Sequence, residues 1–191
     1  MRIENMLVWI DGPYGVGKTA VIKQLKEIIP CSEIEILESD VYNEEVRKEI
    51  IKEAQKTNSF PGFPGMLPQT DTRFIEIFRR IIQERLSLNK IVIVDMALTH
   101  EESKKGLYEF FFAENVRMLH IIITASEEII RERIKNDNTR DKRCALENLE
   151  YNLSFLNQNY QDAIRINTDS MSIADTANEI AQHISNMRSQ L

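Results

Sequence analysis

Gly12-Pro13-Tyr14-Gly15-Val16-Gly17-Lys18-Thr19 fits the spacing G-x-x-x-x-G-K-[ST], and its reading decides the fold. Ahead of it runs Met6-Leu7-Val8-Trp9-Ile10, an unbroken apolar stretch of the kind a buried strand shows. Behind it Val21, Ile22, Leu25, Ile28 and Ile29 recur at helical period. A strand, a glycine-rich turn and a helix in that order make an anion cradle. The glycines let successive backbone N–H groups turn inward on a phosphate, and the helix N-terminus adds its partial positive charge at the same point. Lys18 then reaches the β- and γ-phosphates of a nucleoside triphosphate, and Thr19 ligates magnesium. Gly12, Tyr14, Gly15, Val16, Gly17, Lys18, Thr19 and Ala20 are the expected nucleotide-binding residues, with Lys18 also catalytic. A plain strand-to-helix turn with a solvated lysine is the alternative, and both flanks count against it.

Further apolar runs fall at 34–37, 91–94, 117–123 and 163–166, each separated from the next by residues with helical spacing. Strands alternating with helices imply an α/β fold: five parallel strands covered by helices on both faces, in three layers. Ile91-Val92-Ile93-Val94 and Leu119-His120-Ile121-Ile122-Ile123 read as central strands. Ligands in such folds gather at the carboxyl ends of the strands, and that is where Glu38, Asp40 and Asp95 stand. Two stretches break the alternation. Residues 57–71 carry Phe60-Pro61-Gly62-Phe63-Pro64-Gly65 and Pro68, a loop that either folds over a substrate or tucks its aromatics into the core. Residues 136–143 are polar and charged between two helical patterns, the place for a small lid.

The 191 residues suit one domain with a single core, read as 1–191. Twenty-four basic against thirty acidic residues give a net charge of −6 without a basic block, which argues against a nucleic-acid partner. Cys31 and Cys144 match no metal or redox spacing, so the plain reading is a cytoplasmic protein with reduced thiols. The first residues show no signal-like apolar core, and no run approaches the length of a spanning helix. Oligomeric state is not legible.

Phosphoryl transfer requires the cradle, a metal, cations over the transferring group and a carboxylate that handles the acceptor hydroxyl. Asp95, at the end of an apolar strand, suits the acid that holds magnesium with Thr19; a strand-end or helix-start carboxylate is its bland alternative. Glu38 and Asp40 lie two apart, and if extended geometry persists they face the same way. Asp40 is the expected base, or else the N-cap of a helix starting near Val41. Arg140 and Arg143 in the polar stretch suit phosphoryl oxygens, while Arg131 reads as an ordinary helix-face charge. Arg73 and His100 are acceptor-side candidates, each with a neutral reading as a surface ion pair or a hydrogen-bonded structural histidine.

Further segments carry a likeness: Val8-Trp9-Ile10-Asp11-Gly12, Met96 to His100 with Glu102, Ile123-Thr124-Ala125-Ser126-Glu127-Glu128, Arg143-Cys144, and Ile166-Asn167-Thr168-Asp169 before Ser172-Ile173-Ala174-Asp175. With the glycine-rich motif they resemble the P-loop superfamily of small-molecule kinases, and more closely the tunicamycin-resistance ATP-binding proteins of bacteria. The resemblance implies a nucleoside/shikimate-kinase-like P-loop fold with ATP and Mg2+. It also places Arg133, in Glu132-Arg133-Ile134, near adenine, and Thr168 and Asp169 along the base pocket. Such kinases often carry a second arginine one helical turn later; Asp137 stands there in this chain, which leaves Arg140 or Arg143 to serve. The family is associated with resistance to a nucleoside antibiotic, by binding or by ATP-dependent modification, and with loose membrane association. Here the last apolar stripe, Ile173, Ala177, Ile180, Ala181, Ile184 and Met187, lacks basic flanks, and packing on the sheet explains it better than a membrane does.

The leading expectation is a magnesium-dependent ATP phosphotransferase acting on a hydroxyl of a nucleoside-, sugar- or antibiotic-like small molecule. A protein that sequesters its ligand under nucleotide control, and a regulatory NTPase, are the other classes.

Overall fold

The computed structural model describes residues 5–57, 68–137 and 142–189. Most of the Pro-rich stretch, at 58–67, and residues 138–141, Arg140 among them, lie outside the described residues. Strand β1 (Met6–Asp11) leads into helix α1 (Lys18–Ile28), and strand β2 (Ile34–Glu38) into α2 (Ser39–Thr57). A 3-10 turn at Pro68–Thr70 precedes α3 (Thr72–Leu86), followed by β3 (Ile91–Asp95). Short α4 (Glu101–Ser103) runs through a π-helical stretch, Lys104–Glu109, into α5 (Phe110–Ala113). Then come β4 (Met118–Thr124), α6 (Glu127–Asn136), α7 (Lys142–Glu147), α8 (Leu149–Asn159), β5 (Ile164–Asn167) and α9 (Ile173–Ser189).

Among the described residues the strands form a five-stranded parallel sheet in the order β2-β3-β1-β4-β5. Because side chains alternate across a strand, each apolar run feeds two cores. Val8 and Ile10 of β1, Ile93 of β3 and Ile121 and Ile123 of β4 pack with α1 (Val21, Ile22, Leu25) and α9 (Ala177, Ile180, Ile184). Leu7, Trp9, Val92, Val94 and Ile122 meet Phe74, Phe78 and Ile82 of α3 on the opposite face. The apolar stripe of the last helix is thus largely spent on the core, although Ile173 itself is exposed. No helix among the described residues is long and apolar enough to cross a membrane.

Helix α3 shows how local chemistry sets an element. Asp71 caps its start by accepting from the N–H groups of Arg73 and Phe74. Phe74, Ile75, Phe78, Ile82 and Leu86 form its buried stripe, and Asn89, at φ 56°, turns the chain toward β3. Phe78 is fully buried and stacks on Phe74 at 5.3 Å. Truncating it to alanine would cost about 3–5 kcal/mol.

Parallel pairing sets the carboxyl ends side by side: Glu38 pairs with Asp95, Asp95 with Ile10, and Thr124 with Asn167. One boundary differs from the sequence reading. Helix α2 starts at Ser39 rather than near Val41, so Asp40 lies inside its first turn and is not its N-cap. Acidic residues suit a first turn because of the helix dipole. Extended geometry ends at Glu38, so strand alternation does not align Glu38 with Asp40.

Candidate nucleotide and transfer site

The turn from β1 to α1 is shaped by what surrounds it. Gly12 has φ 143°, and a Cβ there would lie 2.5 Å from the carbonyl oxygen of Ile123. Gly15 has φ 80°, and its Cβ would lie 2.4 Å from Cγ1 of Ile134. Any larger residue at either position meets both a disfavoured backbone and a filled space. Gly17 stands immediately before α1.

Helix α6 closes on this turn with residues three and four apart. Gly15 packs on Ile134, Val16 O accepts from Arg133 at 3.0 Å, and the Tyr14 hydroxyl donates to Asp137 Oδ2 at 3.2 Å. The Arg133 guanidinium also donates to Thr168 Oγ1 and Thr168 O, both at 3.1 Å. Arg133, Val16 and Thr168 are therefore one assembly, although they come from three distant stretches. Asp169 turns its carboxylate the other way and accepts from the Ser126 N–H at 2.6 Å. That bond ties the ends of β4 and β5 together.

Lys18 Nζ donates to the carbonyls of Gly12 (2.7 Å) and Pro13 (3.1 Å), which holds the ammonium over the turn. A phosphoryl oxygen would exchange these neutral acceptors for a charged and stronger one. One residue on, Thr19 Oγ1 donates to Asp95 Oδ2 at 3.3 Å. Burial pushes the Asp95 carboxyl above its ordinary range. Lys18 opposes the rise, the Asp40 and Glu38 charges add to it, and the Thr19 bond counters it. A hard cation is what this place suits: adjacent hydroxyl and carboxylate oxygens, and a carboxylate whose charge is costly until matched. Among the described residues no group of three His, Cys, Asp or Glu converges on a metal. Mg2+ held by Thr19 and Asp95 would therefore complete its shell with water and phosphate oxygens, its usual habit. Ala20 continues α1 behind Thr19 and is half-buried.

On the acceptor side the candidates are engaged with close neighbours. Glu38 meets Lys26 at 3.5 Å, and Asp40 is exposed on α2. Arg73 forks onto Asp71 at 2.8 and 3.2 Å, and this pairing holds the Asp71 carboxyl below its ordinary range. His100 precedes α4 with its ring 5.8 Å from that of Tyr151; burial lowers its pKa, against a weaker upward pull from Glu102. Arg143 is exposed on α7 and faces Glu147 at 3.8 Å. The site's buried anchor, Asp11, entered the sequence reading only within a quoted run. A lone acid at the end of an apolar strand was the available signal.

Residues 7–156 match the model of a family described as an AAA domain. The chain belongs to this family. No curated protein matches it. Among solved structures, this AAA-domain chain resembles a tunicamycin resistance protein of Deinococcus radiodurans: TM-score 0.72, 22% identity, 95% of this chain and 96% of that one covered. It also resembles a sugar kinase of Janibacter sp. (TM-score 0.63, 14% identity, 95% of each chain) and a gluconokinase of Sinorhizobium meliloti (0.59, 15%, 100% and 99%). At such identities the likeness is one of fold: the domain has the P-loop, small-molecule-kinase-like architecture.

Proposed function

We propose that this AAA-domain protein is a magnesium-dependent ATP phosphotransferase acting on a hydroxyl of a small molecule that is nucleoside-, sugar- or antibiotic-like. The observation that carries the reading is the contact of Thr19 with the buried Asp95, one residue from Lys18 and within the field of Asp40 and Glu38. Bound Mg2+ would supply charge neutralisation at the phosphates. The backbone of the glycine-rich turn binds and orients the triphosphate, and Lys18 balances charge on the group being transferred. The new bond joins the acceptor oxygen to the γ-phosphorus as the bond to the β,γ-bridging oxygen breaks. Asp40 takes the hydroxyl proton, and ADP leaves. Arg133 and Thr168 flank the base. Cys31 and Cys144, both exposed and free, suit a cytoplasmic location.

A second reading, a protein that sequesters its ligand under nucleotide control, has one observation in its favour. Arg73, Arg133 and Arg143 are each engaged within the protein, with Asp71, Thr168 and Glu147. The test is ATP consumption with Mg2+ across nucleosides, sugars, aminoglycosides and tunicamycin, with product masses measured. The D. radiodurans likeness motivates the last compound. A product heavier by one phosphoryl group establishes transfer and gives the acceptor class; ATP binding without any such product overturns it in favour of sequestration.

A further inference from the structure

Asp11 is fully buried at the end of β1, where it makes three contacts. Its Oδ1 accepts from the Gly12 N–H at 2.6 Å and from the Leu98 N–H at 3.1 Å. Its Oδ2 faces His120 Nε2 at 3.1 Å. One carboxylate oxygen thus holds the first residue of the phosphate turn and the middle of the 96–100 loop together. A buried carboxylate is tolerated when polar partners surround it, and here two backbone N–H groups meet Oδ1 while an imidazole nitrogen meets Oδ2.

The 96–100 loop is tied at further points. The Trp9 indole donates to Met96 O at 3.1 Å, the Tyr160 hydroxyl to Leu98 O at 3.1 Å, and Gln69 meets Thr99 Oγ1 at 3.4 Å. The same loop carries Thr99, which is buried, and the half-buried His100. His120 is wedged against Tyr108 and Tyr160 at ring distances of 5.0 and 4.7 Å, and its Nδ1 has no hydrogen-bond partner among the described residues. The ring's polar contact is therefore that of Nε2 with Asp11 Oδ2.

We propose that Asp11 is a positioning residue that ties the phosphate turn to the 96–100 loop, so that filling the nucleotide site is transmitted to Thr99 and His100. The proposal rests on the nucleotide reading of the turn. Movement of Gly12 drags Asp11 Oδ1, and Leu98 follows because it hangs from the same oxygen. Asparagine at position 11 is close in shape but neutral. Its carbonyl keeps the two backbone donors only if its amide faces His120 Nε2, which can then only accept.

Trp9 supplies the reporter. It is the chain's single tryptophan, its N–H rests on Met96 O, and its side chain lies on the sheet face opposite α1. In a 15N–1H spectrum of the whole chain the lone indole cross-peak reads the loop directly. With calorimetry confirming saturation by MgADP, the peak shifts in the unaltered protein and stays in place in Asp11→Asn. That variant binds MgADP about fivefold to tenfold more weakly, the scale of one charge-assisted hydrogen bond made neutral. His120→Phe retains both backbone bonds to Asp11 and retains the shift. An indole peak that ignores saturating MgADP in the unaltered protein overturns the proposal without need of a variant. So does an equal shift in saturated Asp11→Asn, or loss of the shift in saturated His120→Phe. Absence of calorimetric MgADP binding to the unaltered protein is a different failure, that of the nucleotide site itself.

Discussion

The proposed nucleotide and acceptor halves of the site are built differently. On the nucleotide side, bonds span the chain: Arg133 to Val16 and Thr168, Tyr14 to Asp137, Thr19 to Asp95. On the acceptor side three charged side chains find partners close at hand, Arg73 with Asp71 two residues away, Arg143 with Glu147 four away and Glu38 with Lys26 twelve away, while His100 reaches far, to Tyr151. If the proposed function holds, the difference follows from the ligands: a triphosphate has one shape and charge and suits a cradle fixed by long-range packing, while an acceptor that varies suits side chains on helix starts and loops, whose identities can change without disturbing the core.

Paired changes give the largest effects and break this contrast if they fail. Asp40→Asn is expected to lower turnover by about 10² or more with MgATP affinity kept, because it removes the proposed base and leaves the cradle intact. Lys18→Ala, by contrast, should weaken MgATP by about 10- to 100-fold, the weight of a charged hydrogen bond, and lower turnover as well. Steady-state rates and calorimetry on both variants decide it. Equal loss of affinity in the two would show that the halves are not separate.

Asp95 sharpens the contrast through pH. Its carboxyl is raised in the folded protein, so neutral Asp95 favours the fold. That advantage is full below the ordinary value of 3.8 and is lost as pH rises through the folded value. In metal-free buffer Asp95→Asn should therefore melt above the unaltered protein at neutral pH, the gap closing toward pH 3.8. With MgATP only the unaltered protein should gain strongly. Thermal melts across pH check the sign, and an unaltered protein more stable than the variant at neutral pH without metal would refute it.

The smallest expected effect belongs to the acceptor half. Asp71→Ala removes the cap of α3 and the partner of Arg73, and should cost about 1 kcal/mol in denaturant unfolding with nucleotide affinity unchanged. A change in affinity would mean that the start of α3 reaches the nucleotide half.

The sheet was legible because its three central strands are local apolar runs and the two edge strands keep isoleucines at alternate positions, and the turn because its glycines and lysine lie within eight residues. Arg133 and Thr168 came only through resemblance, since thirty-five residues separate them and no local pattern links them. Asp11 was missed for the same reason on a larger scale: Leu98 and His120 lie 87 and 109 residues away. For Asp40, base and helix cap both stayed open in the sequence, because acidic residues suit a cap as well as a first turn and only the backbone at Ser39 tells those two apart.

The docking of α6 on the phosphate turn, through Asp137, Ile134 and Arg133, has a kinetic consequence. A turn braced in this way loses little conformational freedom when its ligand arrives, and only a small displacement is left to pass through Asp11 to Leu98. Encounter should then proceed at an ordinary association rate, about 10⁵–10⁷ M⁻¹s⁻¹, with no slow ordering step ahead of it. Differences in affinity among nucleotides would be written in how long each one stays.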